Sequence, residues 1–106
     1  AIAGSGVHRA HLVISTDHGA TWRLGAVAPD GTNESQVAEL SDGRLLHNMR
    51  NHPPRTGVNH RVVATSADGG FTLGPARDDA ALVEPPAQAS LLAVPGRTPG
   101  ARLLVF

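Results

Sequence analysis

Residues 15–22 read Ser-Thr-Asp-His-Gly-Ala-Thr-Trp, and residues 66–73 read Ser-Ala-Asp-Gly-Gly-Phe-Thr-Leu. Four residue types recur at the same offsets: Ser15 and Ser66, Asp17 and Asp68, Gly19 and Gly70, Thr21 and Thr72. Each pair is 51 positions apart. A short acidic side chain two residues before a glycine suits a hairpin turn. The carboxylate hydrogen-bonds the turn's own amides, and the glycine takes the positive φ that other residues resist. Trp22, which closes the first copy, is expected to fold back on the hairpin and bury its ring. Leu73 stands in its place in the second copy, with Phe71 two residues earlier as a partial substitute.

The rest of the chain fits a β protein. Twelve glycines and eight prolines are spread along 106 residues, and no long window carries apolar residues at helical spacing. Short strand-like runs fall at residues 9–15, 36–40, 44–50, 61–66, 87–94 and 102–106, with turn residues such as Ser41-Asp42-Gly43 between them. "QVAEL" followed by a turn and "RLLHN" is echoed by "QASLL" followed by a turn and "RLLVF". A repeat of about 50 residues with about four strands per unit is the period of a propeller blade. The expected fold is therefore an all-β propeller fragment, one full four-stranded blade flanked by two half blades. Residues 1–27 would end one blade and carry the first turn motif. Residues 33–75 would form the full blade with the second motif, and residues 84–106 would begin the next.

Composition narrows the partners. Nine basic residues balance nine acidic ones, which leaves no electrostatic case for nucleic acid or an anionic membrane. Every basic residue is arginine. Without cysteine there is no disulfide frame and no thiolate metal site. No apolar run approaches the roughly 20 residues of a membrane-spanning helix. The chain opens without methionine and stops on the apolar "RLLVF", so it reads as an internal piece whose first partners are the remaining blades. His8 and His11, three apart in a strand, point to opposite faces and cannot share a metal without a bulge. His47, His52 and His60 read as scattered. Asp17 and Asp68 lack the alternating acidic loop of a calcium site. Neither metal nor cofactor is expected.

The two turn motifs are Asp-boxes, also called BNR repeats. Between them residues 33–50 read "NESQVAELSDGRLLHNMR". With its flanking boxes this segment resembles the bacterial exo-α-sialidase (neuraminidase) family. There an acidic residue heads a blade's first strand, a "VELSDG" hairpin follows, and an arginine closes the second strand. Here these are Glu34, "AELSDG" at residues 38–43, and Arg50, sixteen positions after Glu34.

The resemblance implies a retaining glycoside hydrolase that releases terminal sialic acid from sialylated glycans, in a secreted or periplasmic protein. The substrate's carboxylate sits on its anomeric carbon, so planar bidentate cations suit the site. Arg50 would be one of three such arginines. A carboxylate nucleophile would be repelled, and the family uses tyrosine instead. Tyrosine, with a solution pKa of about 10, needs a base beside it, the role that falls to Glu34. Glu34 in a loop before the inner strand and Arg50 at the end of the next strand would reach one rim of the propeller. Asn33 and Gln88, with Ser90, would approach the pocket.

The departures matter equally. The chain contains no tyrosine, and no residue matches the family's aspartate acid/base or its first arginine. The third arginine belongs beyond Phe106, since Arg97 and Arg102 fall too early on the repeat. The polypeptide by itself is therefore expected to lack turnover. Two other readings stay open. One is a non-catalytic Asp-box propeller that binds a glycan or a protein. The other is a hydrolase of neutral polysaccharide, which would want paired carboxylates and aromatic platforms; at 3% aromatics the chain offers few. Glu39, beside a turn, reads as an exposed structural residue.

Overall fold

The computed structural model describes residues 6–52, 59–85 and 87–106. Eight strands run through them: β1 His11–Ile14, β2 Arg23–Val27, β3 Thr32–Glu39, β4 Leu45–Asn51, β5 His60–Ser66, β6 Arg77–Val83, β7 Leu92–Pro95 and β8 Arg102–Val105. They form three antiparallel sheets, β1-β2, β3-β4-β5-β6 and β7-β8, with every strand beside its sequence neighbour. No helix occurs among the described residues. This is the expected all-β arrangement of a four-stranded sheet between two two-stranded ones.

The strands that the apolar runs miss are informative. β2 and β6 carry Gly, Ala and Asp, which are poor strand formers, and each pairs on one side only. They are strands because β1 and β5 offer them a ladder. β6 carries the central sheet to Val83, past the expected edge at residue 75. β3 begins at Thr32, before the run at 36–40, because its polar first half is held by pairing with β4. Glu34 therefore lies within a strand, not in a loop before it. Residues 87–91, expected as strand, form the connector that leads into β7.

The middle strands of the central sheet, β4 and β5, are covered on both faces. On one, Met49, Val62 and Ala64 pack against Ala10 and Ala28 from the first sheet's side, with Leu73 and Ala76 at the margin. On the other, Arg61 is 0% exposed yet fully engaged. Its Nε donates to Asn48 Oδ1 (2.6 Å), and Nη1 donates to Glu84 Oε1 and the Ala87 carbonyl, both at 2.9 Å. The Phe106 ring lies 5.6 Å from its guanidinium carbon. A buried cation is tolerable when its donors are matched in this way.

The two Asp-boxes are superposable networks. Ser15 Oγ donates to Asp17 Oδ1 and accepts from Gly19 N, both at 2.8 Å. Asp17 then accepts from the Thr21 amide at 2.8 Å and from the Thr21 hydroxyl. Ser66, Asp68, Gly70 and Thr72 repeat every bond. These donors, the threonine hydroxyl foremost, hold both carboxyls down to about 2. Two successive residues take left-handed φ in each box, His18 (57°) and Gly19 (89°) in the first, Gly69 (78°) and Gly70 (96°) in the second.

The expectation for Trp22 is corrected. Its Nε1 donates to the Gly19 carbonyl at 3.1 Å, so the ring does fold back on the turn, but it remains 63% exposed. Leu73, its counterpart, packs against the core that Met49, Val62 and Ala64 form with Ala10 and Ala28. No described sheet lies on the corresponding side of the first box. The second box is tied to β2: Ala26 N donates to the Gly70 carbonyl at 2.8 Å. A Cβ built on Gly25 would stand 2.7 Å from that carbonyl oxygen and 2.6 Å from Ile14 Cδ1.

Candidate active site

β3 and β4 pair with Thr32 opposite Asn51 and Ser35 opposite Met49. Two residues, Asn33 and Glu34, thus face the single Arg50, which is a β-bulge. A bulge re-aims side chains at the end of a ladder. Here it lies beside the Glu34–Arg50 pair, in which Arg50 Nη1 donates to Glu34 Oε2 at 2.8 Å. That hydrogen bond holds the Glu34 carboxyl below its ordinary range against a smaller desolvation effect, so it is ionised at neutral pH.

Arg50 is mostly covered, whereas the Glu34 side chain is nearly half exposed. Arg50 Nη2 lies 3.1 Å from His52 Nδ1. Its Nε is buried without a partner among the described residues. A covered guanidinium with donors to spare, beside an ionised carboxylate at an open sheet end, can receive a second planar anion.

Asn33 shares the bulge and is half-buried. Gln88 is exposed in the connector after β6 and makes no polar contact with Glu34 or Arg50; its neighbour Ala87 is the residue that Arg61 holds. Arg102 lies at the opposite end of the β3–β4 hairpin, where its amide donates to Ser41 Oγ at 2.9 Å and its guanidinium is 3.6 Å from Glu39. It stands well away from the Glu34 end. Among the described residues no cluster of His, Cys, Asp or Glu could hold a metal.

Sequence reading missed His52, read there as scattered. The available signal was its spacing: two positions after Arg50 on an extended run, it shares Arg50's side. It also missed His47, fully buried with Nε2 2.8 Å from Ser35 Oγ. Burial, and secondarily the charge of His11, push its pKa down to about 4.

Residues 2–105 match the BNR repeat-like domain family. The chain is 39% identical over 109 residues to a sialidase of Micromonospora viridifaciens, covering 99% of this chain and 16% of that protein. It is 36% identical over 77 residues to Sialidase-2 of Rattus norvegicus, covering 73% of this chain and 20% of that protein. Among solved structures it superposes on Hadza microbial sialidase Hz136 with a TM-score of 0.68 and 35% identity, over 91% of this chain and 19% of that one. The chain thus spans about a sixth to a fifth of the length of the relatives it matches. With its repeated Asp-boxes, its sheets stacked as propeller blades and a match along nearly its whole length, the chain belongs to the BNR-repeat sialidase family.

Proposed function

We propose that this chain supplies part of the active site of an exo-α-sialidase, a retaining glycoside hydrolase that releases terminal sialic acid. The observation that carries the reading is the Glu34–Arg50 pair, held at the end of the β3–β4 ladder in a chain of this family. Arg50 binds the substrate carboxylate with its spare donors. Glu34, held ionised, accepts the proton of a tyrosine nucleophile supplied by another blade. Asn33 lines the pocket beside them, and Gln88 enters it from the connector. When the substrate's carboxylate shares Arg50, the hydrogen bond that depresses Glu34 is weakened, and Glu34 becomes a better base as the site fills. Without a tyrosine, these 106 residues alone have no turnover.

The test uses the complete polypeptide that carries this segment and a fluorogenic sialoside. Arg50→Ala is expected to raise KM roughly a hundredfold, since a buried charge loses a bidentate partner. Glu34→Gln is expected to lower kcat by about a hundredfold or more with little change in KM. Wild-type rates in either variant refute the assignment of that residue. Sialoside binding without hydrolysis by the complete wild-type protein points instead to a glycan-binding propeller.

A further inference from the structure

Three separate segments converge behind Arg50. Gly31 is the junction: its amide donates to the His8 carbonyl at 3.0 Å, and its carbonyl accepts from the His52 amide at 2.8 Å. This staple draws the two histidine rings into a perpendicular contact, with centroids 6.1 Å apart. The ring of His52 is thereby fixed edge-on between His8 and the guanidinium of Arg50.

A guanidinium only donates, so the 3.1 Å contact between Arg50 Nη2 and His52 Nδ1 requires Nδ1 to accept. His52 is then neutral, with its proton on Nε2. We propose that His52 is a positioning residue for Arg50: together with Glu34 on Nη1 it sets the plane and reach of the fork toward the substrate carboxylate. The inference rests on the sialidase reading for its ligand but not for its geometry. Among the described residues, the charged or titratable side chains that face His52 are Arg50 from β4, Glu34 from β3 and His8 from the segment before β1. A second proton on His52 turns Nδ1 into a donor aimed at a cation. The hydrogen bond is lost and Arg50 swings free of its aligned pose. Carboxylate binding is then weaker with that second proton in place.

The test is calorimetric binding of a non-hydrolysed sialic acid analogue to the complete polypeptide between about pH 7.5 and about pH 5. Wild type is expected to lose several-fold in affinity toward the acid end. His52→Ala weakens binding about tenfold at the neutral end, the size of effect that one hydrogen bond to a charged group carries. His52→Gln, whose Oε1 accepts the same bond but does not titrate, recovers most of that loss and flattens the pH dependence. A His52→Gln variant that keeps the wild-type pH dependence, or a His52→Ala variant that binds as wild type does, overturns the inference. If wild type binds no sialoside at any pH, the sialidase reading has failed. The geometry is then judged by NMR: the Arg50 side-chain resonances should follow an imidazole titration in wild type and not in His52→Gln. Their failure to do so overturns the inference independently.

Discussion

At the residue scale, the chemistry rests on groups whose charge state the neighbours set. Asp17 and Asp68 are exposed, yet their threonine and serine partners hold both near 2. Because the folded pKa is depressed, this contribution to stability is complete above the unfolded carboxylate value of about 4 and is lost as pH falls toward about 2. Acid unfolding of Asp68→Ala should therefore lack the part of the slope that wild type shows between about pH 4 and about pH 2, as followed by circular dichroism. His47 acts at milder pH. Its folded pKa of about 4 lies below that of an unfolded histidine. The unfolded chain then binds the extra proton, and stability falls as pH drops from about 6.5 to about 4, by about 3 kcal/mol at most. His47→Gln should flatten that slope in urea titrations; an unaltered slope assigns it to another group. Asp17 and Asp68 were legible in the sequence, because an Asx turn is built from neighbours in the chain. His47 was not, because its burial comes from strands on either side.

At the element scale, the bulge at Asn33–Glu34 and the close approach at Gly25 are the decisive features. The register that runs from Glu39 to Ser35 carries Glu34 opposite Arg50, and the bulge inserts Asn33 beside that pair. At Gly25 the added methyl of alanine meets the Gly70 backbone carbonyl, which cannot yield without opening the contact between β2 and the second box. Gly25→Ala is expected to cost about 2 kcal/mol, an overpacking penalty. Gly43, at φ 85° with open space around it, should cost about 1 kcal/mol as alanine, from backbone conformation alone. Thermal unfolding of the two variants checks the order, and equal losses would remove the role assigned to close approach.

At the scale of the whole molecule, one buried arginine joins two sheets. Arg61 reaches from β5 to Glu84 and Ala87, through which the chain passes into β7. Arg61→Met should destabilise by about 3 to 5 kcal/mol, because Glu84 is left largely buried without its counter-charge; adding Glu84→Gln should recover part of the loss. Denaturant midpoints of the single and double variants measure the coupling. The outer sheets face the opposite problem. Leu92 is 61% exposed, Leu103 57% and Trp22 63%, whereas the middle strands β4 and β5 are largely buried. Exposed apolar sheet of this kind associates. The isolated chain should show concentration-dependent sedimentation, and a monomer with a concentration-independent melting transition would contradict that.

The sequence by itself determined the Asp-boxes, the all-β class and the pairing of Glu34 with Arg50. Each of these is carried by residues at fixed offsets along the chain, and a local turn needs only local partners. The tertiary structure alone decided the rest. β2 and β6 are strands because a neighbouring strand offers them hydrogen bonds, which no propensity records. Trp22 is exposed because burial depends on which sheet lies opposite. His8 meets His52, and Arg61 meets Glu84, because Gly31 and the β6–β7 connector bring distant segments together. Such contacts are set by the register and stacking of sheets, and their residues carry no mark of it in the sequence.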